Sequence, residues 1–193
     1  MSSDHISITP HRMSAWTEIT QTDWIPPLGE ELEKHIQEYK GQVRFASCSA
    51  WGLLYRLMEQ HDAGDRTVVF EEGGKPVFLE QGLYFSISHS RNICAAALSD
   101  QPIGIDVELC RDKYRDGLLE RTLSEAEMEI FDGDFTRIWC RKEAVAKMTG
   151  EGIWGYPKKI NTLDKNLSFQ EEMIPYAGQA YWLVSVIQKK AGI

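Results

Sequence analysis

Between residues 83 and 107 the chain passes through three short β-type segments, Leu83 to Ser88, Ile93 to Leu98 and Ile103 to Val107. The short breaks between them hold Ser90-Arg91-Asn92 and Ser99-Asp100-Gln101-Pro102. Apolar runs of strand length bounded by turn formers read as strands. Connections this short favour antiparallel neighbours, because a parallel pair needs a crossover of about a dozen residues or more. Helical patterns flank this β-rich middle. Pro26-Pro27 precedes Leu28, Leu32, His35, Ile36 and Tyr39 at helical spacing, and Gly41 ends the pattern. A second apolar helix is expected over about Phe45 to Gln60, with Trp51, Leu54, Tyr55 and Met58 on its buried side. Ser124-Glu125-Ala126-Glu127 is a capping box that opens a short helix. Phe135 to Thr149 is the clearest helix, terminated by Gly150 and Gly152. Shorter strands are expected at Ile6 to Ile8, at Thr67 to Phe70, and at Val77 to Leu79 beyond the Gly73-Gly74 break. A C-terminal β region, about Lys159 to Gln188, is clearest at Tyr181 to Ile187. Helices embedded between antiparallel β segments give an α+β class.

At 193 residues the chain suits one large domain or two small halves that share a core. No internal repeat is visible. The formal net charge of −8 argues against non-specific nucleic-acid binding as the main role. No stretch approaches the roughly 20 apolar residues needed to span a bilayer. Asp4, His5, His11, Arg12 and Glu18 interrupt any apolar run near the N-terminus, so no secretory leader is expected. Cys48, Cys94, Cys110 and Cys140 lack zinc-ligand spacing and read as reduced thiols of a cytoplasmic protein. No P-loop, Gly-x-Gly-x-x-Gly or Gly-x-Ser-x-Gly motif is present. Against the acidic whole, Arg137, Arg141, Lys142, Lys147, Lys158 and Lys159 make the surroundings of Glu143 locally basic, which suits an anionic ligand.

Three carboxylates carry the chemistry. Asp106 and Glu108 are two apart in Gly104-Ile105-Asp106-Val107-Glu108, so on a strand they project from one face. Like charges held that close favour a shared proton or cation, and a hard divalent ion such as Mg²⁺ takes oxygen ligands. A solvated strand face is the plainer alternative. On the Phe135 helix, Cys140, Glu143, Lys147 and Gly150 share a stripe. Ile138, Val145 and Met148 form a different, apolar stripe expected to bury against the sheet. Taken alone, Glu143 and Lys147 also fit an ordinary surface ion pair. In Ser86-Ile87-Ser88-His89-Ser90 a histidine flanked by hydroxyls can bind phosphate or exchange a proton, and a turn cluster is the alternative.

The order of these pieces is specific. Gly74-Lys75-Pro76 is followed by Phe85-Ser86-Ile87-Ser88-His89-Ser90, then by Gly104-Ile105-Asp106-Val107-Glu108, then by Trp139-x-x-Lys142-Glu143-x-x-x-Lys147. In this order they resemble the surfactin-synthetase-activating (Sfp-type) 4′-phosphopantetheinyl transferases, over roughly Gly73 to Gly152. Ser86 stands where related sequences often carry Asn. The resemblance implies a pseudo-dimer of two similar α+β halves, residues 1–100 and 101–193, with the active site in the cleft between them. It implies Mg²⁺-dependent transfer of the 4′-phosphopantetheine arm of coenzyme A to a serine of an acyl or peptidyl carrier protein, releasing adenosine 3′,5′-bisphosphate. Asp106, Glu108 and Glu143 would be metal ligands, and Glu143, Lys147 and Asp106 the catalytic groups, with Glu143 as general base. Arg44, Lys75, Pro76, Ser88, His89 and Lys147 would bind coenzyme A, Arg44 at its 3′-phosphate. Carrier docking would use Arg111 to Arg115 and Leu118 to Arg121. The resemblance further implies a cytoplasmic monomer without nucleic-acid or membrane partners. Two other functions remain open from the sequence: a coenzyme A-binding protein without transfer activity, and a metal-dependent phosphodiesterase.

Overall fold

The structure, a computed structural model, describes residues 4–9, 12–111, 113–153 and 157–189. The N-terminal elements are β1 (His5–Thr9), β2 (Arg12–Glu18), α1 (Glu30–Gln37), α2 (Gly41–Gln60), β3 (Val68–Phe70) and β4 (Pro76–Phe78). The middle strands are β5 (Tyr84–Ser90), β6 (Ile93–Ser99) and β7 (Ile103–Leu109). After them come α3 (Leu118–Thr122), α4 (Glu125–Glu129), α5 (Phe135–Thr149), β8 (Leu167–Tyr176) and β9 (Gln179–Gln188). The mixed α and β content agrees with the α+β class. One sheet has the order β1-β2-β6-β5, a second β7-β9-β8, and β3 and β4 form a small hairpin. Pairing in all three is antiparallel.

These elements stack in four layers: α1 and α2, the first sheet, the second sheet, and α5. Strand alternation builds the three interfaces. Cys94, Ala96 and Leu98 of β6 face the helical layer, with Leu32, Ile36, Leu53, Leu54 and Leu57. Ile93, Ala95 and Ala97 face the second sheet, against Ile105, Val107, Tyr181 and Leu183. β6 is therefore buried on both faces, and its run of alanines lets the layers approach closely. On the far side of the second sheet, Cys140, Ala144, Val145 and Met148 of α5 pack on Val184 and Val186.

Three findings depart from the sequence expectation. The stripe of α5 that meets the sheet is Cys140, Ala144 and Met148 with Val145, whereas Ile138 is only half-buried and lies outside the cluster. Small side chains decide this, because the helix sits directly on β7 at Gly104. A Cβ there would lie 1.8 Å from the Ala144 carbonyl oxygen, so only glycine permits the approach. The second departure is β2, which the polar residues Arg12, Ser14, Thr17 and Glu18 conceal as a strand. It is buried because Arg12 crosses between the sheets: Nη1 donates to the carbonyls of Ser168 (3.1 Å) and Ser185 (3.2 Å), and Nη2 to Ser168 Oγ (3.1 Å). Burial pushes the Arg12 pKa down. α3 also has no counterpart among the expected elements.

The expected caps are present. Ser124 Oγ accepts from Glu127 N (3.3 Å) while Glu127 Oε2 accepts from Ser124 N (2.9 Å). Gly150 ends α5 in the left-handed region, with φ of 81°. No helix of the described residues is long and apolar enough to cross a membrane.

Candidate active site

β7 puts Ile103, Ile105 and Val107 into the inter-sheet core, so Gly104, Asp106 and Glu108 face the other way. Gly104 seats α5, and the helix then projects Lys147 over Asp106. Lys147 Nζ donates to Asp106 Oδ1 (2.7 Å) and to Ser88 Oγ (2.8 Å), and Ser88 Oγ donates to the same Asp106 oxygen (2.7 Å). From beneath, the buried Cys140 thiol donates to Asp106 Oδ2 at 3.3 Å. Two residues further along the same two strands, Ser90 Oγ donates to Glu108 Oε2 at 3.0 Å. Glu143 is half-buried beside them, and its carboxylate accepts no hydrogen bond among the described residues.

Asp106, Glu108, Glu143 and Lys147 form one wall of a cleft of about 1240 Å³. The cleft also takes Lys75, Pro76, Ser88 and His89 from the first 100 residues, so eight of the sequence-selected residues share one space: Asp106, Glu108, Glu143, Lys147, Lys75, Pro76, Ser88 and His89. Lys75 bridges the two sides, donating from Nζ to the Met148 carbonyl at 2.7 Å. That carbonyl lies in the last turn of α5, where a cation is favoured by the helix dipole. Arg44 is not brought there. Its Nε donates to Asp23 Oδ1 (2.6 Å) and its Nη1 to the Ile36 carbonyl (3.1 Å), and it is not among the described residues that line the cleft. α2 turns the neighbouring Val43 and Ser47 inward instead. Of the basic segment from Arg111 to Arg121, Arg115 and Arg121 line the cleft; Asp112, inside it, lies outside the described residues. Sequence reasoning passed over His35, Tyr39, Phe70 and Trp51, which give the far end of the cleft an aromatic lining. The rings of His35 and Phe70 are 4.5 Å apart.

The wall has an excess of negative charge. Burial, with the nearby Asp106 carboxylate, pushes Glu143 up to about 6, and Lys147 offsets this only in part. Burial and Asp106 also raise Glu108. His89 is held below its ordinary value by desolvation in the cleft wall and by the Lys147 ammonium, although part of its ring meets solvent. Burial lowers Lys75. Among the described residues no three His, Cys, Asp or Glu side chains converge as a preformed metal cage. The donor set nonetheless fits a hard cation: three carboxylates on one wall, two of them raised by burial and then by repulsion, with Lys147 paired directly to Asp106. Asp106, Glu108 and Glu143 are the residues that would hold it.

Lys142, adjacent to Glu143 in sequence, takes no part in the cleft. It is fully buried on another side of α5, donating to Glu127 Oε1 (3.0 Å) and Oε2 (2.7 Å) and to the carbonyls of Pro157 (3.1 Å) and Ile160 (2.7 Å). Burial would raise Glu127, but Lys142, Thr162 and the Ser124 amide outweigh it and hold the group below its ordinary value. Burial lowers Lys142 despite that partner.

Residues 102–190 match the model of the 4′-phosphopantetheinyl transferase superfamily. The chain is 34% identical over 112 residues to the 4′-phosphopantetheinyl transferase AcpT of Escherichia coli, covering 52% of this chain and 57% of that one. It is 36% identical over 141 residues to the 4′-phosphopantetheinyl transferase HetI of a Nostoc species, covering 64% of this chain and 60% of HetI. A 34% identity over 102 residues links it to the 4′-phosphopantetheinyl transferase psf-1 of Bacillus pumilus, covering 45% and 41%. The chain is thus a relative of the 4′-phosphopantetheinyl transferases, and its C-terminal part is what matches their superfamily model. It spans about two-fifths to three-fifths of the length of these relatives.

Proposed function

We propose that the chain transfers the 4′-phosphopantetheine group of coenzyme A to a serine hydroxyl of an acyl or peptidyl carrier protein, in a Mg²⁺-dependent reaction. The observation that carries this reading is the placement of Asp106, Glu108, Glu143 and Lys147 on one wall of a cleft that also takes Lys75 and His89 from the first sheet's side. Residues 1–100 and 101–193 then act as two halves of a pseudo-dimer. In support, the strands of the first sheet all lie before residue 100 and those of the second all lie after it.

In this mechanism the serine oxygen forms a new bond to the phosphorus bearing the pantetheine arm, and the bond from that phosphorus to the bridging pyrophosphate oxygen breaks. Glu143 takes the serine proton, directly or through water. Its raised pKa and its lack of a hydrogen-bond donor suit a general base working near neutrality. Lys147 lies against the pyrophosphate and stabilises charge on the departing adenosine 3′,5′-bisphosphate. A divalent cation held by Asp106, Glu108 and Glu143 supplies positive charge against the phosphate oxygens when bound. Lys75, Pro76 and His89 flank the nucleotide side, and Arg115 and Arg121 present positive charge where an acidic carrier approaches. Arg44 is left out of the site, since its guanidinium is turned to Asp23. A cytoplasmic monomer fits the reading, and none of the four cysteines is in a disulfide. The test is mass spectrometry of apo carrier proteins incubated with the chain, coenzyme A and Mg²⁺. The reading expects a mass gain equal to one phosphopantetheine that requires both additions. No gain across fatty-acid, polyketide and peptide carriers, or hydrolysis of coenzyme A without a carrier, would overturn it.

A further inference from the structure

β5 and β7 lie side by side but belong to different sheets, and no backbone ladder joins them. Serine hydroxyls take the ladder's place. Ser86, Ser88 and Ser90 alternate along β5 toward β7, and their Oγ atoms accept the backbone N–H groups of Ile105 (3.0 Å), Val107 (3.4 Å) and Leu109 (3.3 Å). The two strands keep the same period, so each serine also meets the residue just before its amide donor. These residues are Gly104, Asp106 and Glu108. The first has no side chain. At the second and third, the hydroxyl that accepts the amide also donates to the carboxylate, Ser88 to Asp106 at 2.7 Å and Ser90 to Glu108 at 3.0 Å.

A hydroxyl has a single proton and two lone pairs. With a lone pair of each serine turned to an amide, and in Ser88 also to Lys147 Nζ at 2.8 Å, the proton is directed to the carboxylate. We infer that Ser88 and Ser90 are positioning residues, which hold Asp106 and Glu108 side by side against their mutual repulsion and fix which oxygens face the cleft. Ser90 is the sharper case, because its hydroxyl contacts only the Glu108 carboxylate and the Leu109 amide in the described network. The inference rests on the proposed reading that these carboxylates take up Mg²⁺ with coenzyme A. Groups that orient metal-binding side chains in this way typically matter about 10–100-fold in metal affinity or activity.

Ser86 supplies an internal control: it makes the same amide contact with no carboxylate to orient. The experiment uses the full chain as wild type, Ser90→Ala, Ser90→Thr and Ser86→Ala. It measures Mg²⁺ affinity by calorimetry with coenzyme A present, kcat at limiting and saturating Mg²⁺, and thermal unfolding. Ser90→Ala is expected to weaken Mg²⁺ binding about 10–100-fold, with kcat recovering at high Mg²⁺. Ser90→Thr, which keeps the hydroxyl, is expected to stay near wild type. Ser86→Ala is expected to melt earlier with unchanged Mg²⁺ affinity. Ser90 lies half-exposed at the end of its strand, so loss of its hydroxyl leaves the core intact. If Ser90→Ala unfolds, Ser90→Cys, a weaker donor of similar size, is expected to fall between alanine and wild type in Mg²⁺ affinity, and wild-type affinity there would overturn the inference. Wild-type Mg²⁺ affinity in Ser90→Ala, or an equal loss in Ser86→Ala, would overturn the inference alone. A wild-type chain that binds no Mg²⁺ and transfers nothing would overturn the functional reading and the inference together.

Discussion

Helix α5 carries two lysine–carboxylate pairs built in opposite ways. Lys142 and Glu127 are sealed, with side-chain exposures of 0% and 1%, whereas Lys147 keeps 31% exposure above a 7% exposed Asp106. In the sealed pair every bonding capacity is used: Lys142 Nζ has four acceptors within 3.1 Å, and Glu127 also accepts from the Ser124 amide and from Thr162. Nothing remains for a ligand, so that pair builds architecture by tying α4, the segment after Pro157 and α5 together. In the open pair the lysine lies in a cleft beside Glu143, a carboxylate with no hydrogen-bond donor among the described residues, and beside Glu108, whose described hydrogen-bond partner is one serine. A helix of 15 residues thus separates support from chemistry by rotation about its axis. Lys142 and Glu143 are adjacent in sequence and end in different environments.

Substitutions can break this contrast. On the proposed role, Glu143→Gln should lower transfer about 10²–10⁴-fold, the usual contribution of a positioned base, while urea unfolding shows no loss of stability. Transfer near the wild-type rate would remove Glu143 from the mechanism. Lys142→Met should do the reverse by leaving Glu127 buried and unpaired. Breaking such a pair costs about 3–5 kcal/mol, read as a lowered urea midpoint, and activity should fall only as the folded fraction falls. A folded Lys142→Met chain with wild-type stability but no transfer would abolish the distinction between the pairs.

Gly104→Ala should damage both sides at once. Its Cβ would meet the Ala144 carbonyl oxygen at 1.8 Å, and because that atom is backbone, α5 must lift from β7. Overpacking of this kind costs about 1–3 kcal/mol, and the shift should also separate Lys147 from Asp106 and lower transfer. The smallest effect is the pH dependence of Glu143. Its folded pKa of about 6 lies above its ordinary value of 4.5, so the folded state binds the proton more tightly. The stability this gives is complete below about 4.5 and is lost as pH rises through about 6. Glu143→Gln lacks that loss, so above pH 6 it should gain about 1–2 kcal/mol on wild type relative to the difference at pH 4, measured without added divalent cation. With Mg²⁺ bound, its positive charge favours the Glu143 carboxylate, so the acid limb of the transfer rate should lie below about 6.

The elements with strong periodicity were legible in the chain. The Phe135 to Thr149 helix, the capping box at Ser124 and the three middle strands lie where the pattern puts them. Local geometry alone sets these features. β2 was hidden because its buried Arg12 finds its hydrogen-bond acceptors on the second sheet, at Ser168 and Ser185. The sheet-facing stripe of α5 was misread because apolarity favours Ile138 over Cys140 and Ala144, whereas the close approach at Gly104 favours small side chains. Arg44 looked suited to phosphate, yet Asp23 and the Ile36 carbonyl hold it elsewhere. Ser90 and Cys140 were visible as residue types, but their contacts with Glu108 and Asp106 join different elements and leave no local signal.

By itself, then, the sequence determined the α+β class, the Asp106-x-Glu108 spacing, the Glu143–Lys147 helical turn, and the order of motifs that resembles the phosphopantetheinyl transferases. Periods of two and of about 3.6 residues are properties of the local backbone. Only the tertiary structure decided which of two adjacent charged residues on α5 serves the fold and which faces the cleft, and that the carboxylates of β7 are gripped by serines of another sheet. Those outcomes depend on how closely layers approach and on which donors reach across them. Contacts between residues far apart in the chain settle both.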